Sequence, residues 1–396
     1  MSAWQDVRFR ERAGALARHL VDQGVINDRE WNSRVWETGL HQVPRHLFVP
    51  DLAYAAAYLP HDSSRPIDRK ANSTDWWRAC YTECSIITQR DEGRTDPADT
   101  SGTPTCSLSC PTIVLTFLDV MDLRDHHRVL EIGTGTGWTA AMLAWRLGNR
   151  QVVSIEVDEA LAEVAKTNIF AAGFSPTLLV GDGALGCADR APYDRIHVTC
   201  GVRDIPYAWV EQTRPGGIIA LPYMPAPTAE QGGQQLLLTV LDDGTAIGRF
   251  HGRASFMMLR SQRRQLEPGD ESGGQLSTTR FDPRTLLDLT GRYDGAVLML
   301  AALAPTITVD SRQERREDGT WGHTVRLYDL AGGSWAVCET SPDAAEFEVT
   351  QYGDRDLWEE LQGAYLAWVR AGQPSRERFG MTVTAQEQTI WLDQPN

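Results

Sequence analysis

No apolar run in this sequence approaches the ~20 residues needed to cross a bilayer; the longest, Ala296 to Ala304, falls far short. The first residues are charged and polar and do not read as a secretory leader. Positive charge is scarce: 38 Lys and Arg against 53 Asp and Glu give a formal net charge of −15, the wrong sign for a phosphate backbone. Seven cysteines in 396 residues do not make a disulfide framework. Also missing are a Gly-Lys-Ser/Thr phosphate loop, a His-Glu-x-x-His helix, a catalytic-triad or paired-carboxylate signature, and any internal repeat. The expectation is a cytoplasmic, monomeric chain with neither nucleic acid nor membrane as partner. At this length, with 42% hydrophobic residues, two domains are expected.

What is present is organised around Val129–Trp138. A short apolar run breaks into glycines at 133, 135 and 137, and a helix-compatible segment, Trp138 to Leu147, follows and closes at Gly148. Strand, tight turn and helix of this kind let a ligand lie against the main chain. A second β-branched run, Gln151–Ile155, ends at Glu156 and Val157, about 20 residues on, where an acid reaches the two hydroxyls of a ribose. A third, Leu178–Val180, ends at Gly181-Asp182-Gly183, where a carboxylate can accept from an exocyclic amine such as adenine's. A nicotinamide fingerprint wants glycine where Trp138 stands. A nucleoside pocket without phosphate binding points to S-adenosyl-L-methionine.

Together with Val43-Pro44-Arg45-His46-Leu47-Phe48-Val49-Pro50, Ser107-Leu108-Ser109-Cys110-Pro111, Ala191–Ile196, Ile205-Pro206 and Arg214-Pro215-Gly216-Gly217, these pieces resemble the protein-L-isoaspartate O-methyltransferase family, in that family's order, from about Val43 to Leu259. The whole looks most like the variant found with ATP-grasp peptide maturation systems. The resemblance implies a carboxyl O-methyltransferase. Its substrate would be an aspartate in a ribosomally made precursor peptide, whose ester closes to an aspartimide. Isoaspartate repair is the alternative, and a non-catalytic peptide chaperone the alternative of another class.

The resemblance places Ser109 beside the substrate, its hydroxyl donating to the carboxylate; a plain helix cap is the other reading. A carboxylate is ionised at neutral pH, so no strong base is required. The cofactor set expected is Glu131, Gly133, Thr134, Gly135, Gly137, Glu156, Val157, Asp182, Gly183 and Thr199. Of these, Glu131 is expected to meet the methionine ammonium or else neighbouring amides, and Thr199 to line the pocket. Cys80-x-x-x-Cys84 and Cys106-x-x-x-Cys110 read as reduced thiols, with zinc as the alternative. The basic runs Arg260–Arg264 and Arg312–Arg316 read as solvated surface or as contacts for an acidic peptide.

The fold expected is α/β, a class I Rossmann-like methyltransferase with a doubly wound parallel sheet. An N-terminal helical segment (1–75), the methyltransferase domain (76–259) and a C-terminal α+β substrate-recognition domain (260–396) are expected in turn. Phe9, Ala13, Leu16 and Leu20 predict a first helix ended by Gly24, and Asp28 would cap a second stopped by Gly39. Residues 90–105 read as a lid or a mobile insertion. The linker is expected at Glu267–Gly274, strands near Ala296–Leu303, Thr324–Tyr328, Ser334–Glu339 and Glu346–Tyr352, a helix from Asp354 to Ala371, and a last hairpin from Met381 to Leu392.

Overall fold

A computed structural model of the chain describes residues 7–27, 30–57, 63–226, 232–264, 266, 273–290, 294–315, 321–340 and 345–395. Asp28 and most of the linker expected at 267–274 lie outside these. The chain divides into two units, 1–200 with 208–220, and 201–207 with 221–396. The N-terminal helices therefore belong to the same unit as the glycine loop, and the division falls near residue 220, not at 259.

The first unit opens with α1 (Val7–Asp22) and α2 (Trp31–Gln42). Phe9, Ala13, Leu16 and Leu20 are all buried, as their helical spacing predicts. Gly39 does not stop α2. A Cβ there would lie 2.9 Å from Met142 and 3.0 Å from Trp145, so glycine is needed for close helix packing. Next come β1 (Leu52–Ala57), β2 (Arg65–Asp68), α3 (Ser73–Cys80), β3 (Cys84–Arg90) and β4 (Pro104–Leu108), the strands forming a sheet in the order β2-β1-β3-β4. The helix α4 (Pro111–Val120) then leads to the central alternation: β5 (Val129–Ile132), α5 (Trp138–Leu147), β6 (Val152–Glu156), α6 (Glu159–Ala171), β7 (Thr177–Val180), β8 (Tyr193–Val198), α7 (Tyr207–Glu211) and β9 (Thr213–Tyr223). Strands β9-β8-β5-β6-β7 lie side by side and parallel. The chain runs from β5 outward to β7, then crosses to β8 on the other side of β5. The switch point is thus at the carboxyl end of β5, where doubly wound sheets bind ligands.

The second unit contains β10 (Gln234–Val240), β11 (Ala246–Arg253), β12 (Gln275–Thr279), α8 (Asp294–Leu303), β13 (Ile307–Arg315), β14 (Trp321–Asp329), β15 (Trp335–Thr340), β16 (Phe347–Tyr352), α9 (Leu357–Arg370), β17 (Phe379–Val383) and β18 (Gln388–Leu392). Strands β12-β16-β15-β14-β13 form an antiparallel sheet. The strand expected at Ala296–Leu303 is instead the helix α8. Its run of Ala, Leu and Met has high helix propensity, and a short apolar run carries no period to distinguish the two. The final hairpin does not stand alone, because β17 pairs with β11.

Candidate active site

The glycine loop is shaped by three left-handed residues, Gly133, Gly135 and Gly137, with φ of 94°, 57° and 99°. Side chains would also collide there: a Cβ on Gly133 would meet Thr199 Oγ1 at 2.5 Å, and one on Gly137 would meet Ile169 at 2.8 Å. Thr199 closes the loop from β8, its hydroxyl donating to the carbonyls of Gly133 (2.5 Å) and Ile132 (2.9 Å).

Glu156 ends β6 and is 7% exposed. Its Oε2 accepts from the Gly135 N–H at 2.8 Å and its Oε1 from the Asp158 N–H at 3.1 Å. Burial raises its pKa, the two amides pulling the other way. A carboxylate offers about four acceptor positions, so both oxygens keep room for a vicinal diol. Val157 follows, 39% exposed, an apolar edge beside that carboxylate. Asp182 is exposed; its Oδ1 accepts from the Ala184 N–H at 2.9 Å, and Oδ2 faces outward with no hydrogen bond among the described residues. Gly183 is buried, a Cβ there meeting Ile132 Cγ2 at 2.5 Å. An adenosine needs a diol acceptor, an amine acceptor and an apolar edge at consecutive strand ends. The residues present fit that group.

Glu131 lies beneath the glycine loop. It is fully buried, at 0% exposure. Its Oε2 accepts from the Ser154 hydroxyl at 2.5 Å, and that hydroxyl lies 2.6 Å from Thr134 Oγ1. Burial pushes its pKa up to about 8, with the Ser154 hydroxyl pulling the other way and the Glu156 carboxylate adding to the rise. Through Ser154 and Thr134, Glu131 also buttresses the loop. Glu131 is paired with Ser154 across β5 and β6, which puts the two side chains on the same face of the sheet.

The Ser109 segment is fixed by side chains. Arg45, 1% exposed, donates to the carbonyls of Cys80 (3.0 Å), Cys84 (2.9 Å) and Ser109 (3.0 Å), and its guanidinium lies 5.3 Å from the centre of the Trp138 ring. The Cys110 N–H donates to Ser85 Oγ at 3.1 Å, while its thiol donates to Glu83 Oε2 at 2.7 Å. The Ser109 hydroxyl is half-buried and makes no hydrogen bond among the described residues. Cys110, not Ser109, occupies the capping position of α4, so the plain cap reading fails. A Cβ on Gly135 would lie 3.4 Å from Cys106 Sγ and 3.9 Å from the Ser107 carbonyl, which puts the end of β4 against the glycine loop. Arg45 and Glu83 escaped the sequence reading. Arg45 stood inside a motif, but nothing local tells that its partners come more than thirty residues later.

Three of the four cysteines have surroundings of their own. Cys84 donates to the Ala79 carbonyl at 3.2 Å, Cys110 to Glu83, and burial pushes the Cys80 thiol well up. Among the described residues no group of three His, Cys, Asp or Glu is arranged to hold a metal ion. Nor is any described helix long and apolar enough to cross a membrane.

This switch-point cleft defines a class I, S-adenosyl-L-methionine-dependent methyltransferase. The profile of the family "Protein-L-isoaspartate(D-aspartate) O-methyltransferase (PCMT)" matches residues 67–263. The chain is 35% identical over 216 residues to protein-L-isoaspartate O-methyltransferase 1 of Archaeoglobus fulgidus, covering 54% of this chain and 80% of that protein. It is 32% identical over 270 residues to protein-L-isoaspartate O-methyltransferase of Methanopyrus kandleri, covering 67% and 99%. A solved structure named protein-L-isoaspartate O-methyltransferase shares the fold with a TM-score of 0.53 at 21% identity, over 96% of this chain and 100% of that one. The chain belongs to the protein-L-isoaspartate O-methyltransferase family and is a protein carboxyl O-methyltransferase.

Proposed function

We propose that the enzyme methylates the free carboxylate of an isoaspartyl residue in a protein or peptide. The observation that supports this most is the match over 99% of the length of a relative named for that activity, joined to a cleft whose serine hydroxyl is uncommitted. Glu156 holds the ribose diol, Asp182 the adenine amine, and Val157 with Gly183 the flank of the base. Ser109 donates to one oxygen of the substrate carboxylate and aims the other. S-adenosyl-L-methionine supplies the methyl group on a positively charged sulfur. The nucleophile is already ionised, so the chain's contribution is placement and removal of water, worth roughly 7–11 kcal/mol when complete.

A second reading is methylation of a normal aspartate in a ribosomally made, modified precursor peptide, the ester then closing to an aspartimide. It draws on the residues after 263, which lie beyond the family match. It ranks second, because a solved protein of the isoaspartate name shares the fold over 96% of this chain. A C-terminal unit is therefore no mark against repair.

The test is mass spectrometry of timed reactions on three substrates: an isoaspartyl peptide, its aspartyl isomer, and a pre-crosslinked peptide carrying aspartate. Gain of one methyl on the isoaspartyl peptide alone is expected. Reaction confined to the crosslinked peptide, followed by net loss of one water, would replace this reading with the second.

A further inference from the structure

Residues 90–105 carry hydrogen bonds of their own. Arg90, 4% exposed, donates from Nε to the Pro97 carbonyl at 3.0 Å and from Nη1 to the Gly102 carbonyl at 2.6 Å, so the connection between β3 and β4 wraps around its guanidinium. The hairpin is attached to the rest of the unit at two points. One attachment is Cys106 and Ser107 against Gly135. The other is Gln89, 8% exposed, whose Nε2 donates to Asp158 Oδ2 at 3.2 Å while its Oε1 accepts from Thr105 Oγ1 at 2.8 Å. Asp158 in turn caps α6 through Leu161 N–H at 3.1 Å and donates its own N–H to Glu156.

We propose that Gln89 is a positioning residue that clasps the β3–β4 hairpin to Asp158, holding the ribose-binding Glu156 and the Ser109 segment in register across the cofactor cleft. Hydrogen bonds run Thr105, Gln89, Asp158, Glu156, Gly135, and so join both cofactor loops to the strand that delivers Ser109. The choice of an amide follows from the charges. Glu156 and Asp158 give this rim a negative potential suited to a cationic sulfonium ligand. An arginine or lysine at 89 would cancel that potential, and a carboxylate would be repelled by Asp158. Glutamine donates without either penalty and spends its other end on Thr105. The inference rests on the cofactor, not on which aspartyl residue is methylated.

The experiment is calorimetric titration of S-adenosyl-L-homocysteine into the full chain, its variants Gln89→Ala, Gln89→Glu and Asp158→Asn, and the double variant Gln89→Glu/Asp158→Asn. Thermal unfolding of each without ligand reports the fold. Gln89→Glu sets two carboxylates together and is expected to weaken binding by on the order of tenfold. Gln89→Ala, which only removes the contact, is expected to weaken it about threefold. The double variant exchanges donor and acceptor, and asparagine still caps α6; its affinity is expected to return to within about threefold of wild type. Wild-type affinity in Gln89→Glu, or a double variant as weak as Gln89→Glu, overturns the clasp. A wild type that does not bind the ligand overturns the clasp and the cofactor site together, whereas methylation of an unexpected aspartyl residue leaves the clasp standing.

Discussion

The two banks of the cleft are immobilised by opposite means. On the cofactor bank, three left-handed glycines fold the β5–α5 loop back, and carboxylates receive main-chain N–H groups: Glu156 from Gly135 and Asp158, Asp182 from Ala184. On the substrate bank no glycine is used between Leu108 and Thr112, and long side chains from elsewhere take up main-chain groups. Arg45 collects carbonyls from three stretches of chain, and Glu83 collects a thiol and the Thr112 N–H at 3.3 Å. The first bank is written in a local pattern and the second in contacts between distant residues.

The contrast can be broken from either bank. The largest expected effect is on the buttress. Folded Glu131 keeps its proton up to about pH 8, against 4.5 for an ordinary glutamate, so between those values the folded chain binds more protons than the unfolded one. Its contribution therefore makes stability fall as pH rises from about 4.5 to 8, by on the order of 4 kcal/mol if the whole difference is expressed. Buried His127 and His197, lowered to about 4 and about 3, act in the opposite sense at lower pH. Urea unfolding of Glu131→Gln beside wild type isolates the glutamate: the variant's advantage should grow from pH 5 to pH 8. A constant difference would mean that Glu131 is ionised and paired.

Next in size, Arg45→Met should cost about 3 kcal/mol, since several buried carbonyls lose their donor together. Loss of less than 1 kcal/mol in the same unfolding assay would show that the substrate bank is held by something else. Ser109→Ala should slow turnover on the order of a hundredfold, equivalent to about 2.7 kcal/mol, while cofactor affinity stays near wild type. Unaltered turnover would take Ser109 out of the chemistry. Smallest, Glu156→Ala should weaken S-adenosyl-L-methionine binding by about 2 kcal/mol and leave Ser109-dependent steps alone at saturating cofactor. Calorimetry that finds equal affinity would remove the diol contact.

Legibility followed the same divide. The strand ends carrying Gly133–Gly137, Glu156 and Asp182 were readable because strand, turn and helix are neighbours in sequence and the sheet repeats them. The surroundings of Glu131 were not, because which face of the short strand β5 meets what depends on the helices that cover it. Gln89 and Asp158 stand 69 residues apart, and no spacing rule joins them. In the second unit, α8 was misread because Ala296–Leu303 is apolar on every side, which removes the period that separates helix from strand. The stacked pair Trp335 and Tyr352, with ring centres 4.2 Å apart on paired strands β15 and β16, was invisible for a related reason: strand register is set across the sheet.

Arg45 also bears on what counts as a module. The family match begins at residue 67, yet the guanidinium that secures Ser109, the Val43 carbonyl that receives the Trp138 indole N–H at 3.2 Å and the Pro50 carbonyl that receives that of Trp76 at 2.8 Å all precede it. The matched stretch is thus a scaffold that its own leading segment completes. Excised at residue 67, the chain would keep its glycine loop, Glu156 and Asp182 but lose the guanidinium that holds the Ser109 carbonyl. A stretch cut to the family match would therefore have to carry residues 43–66 along with it.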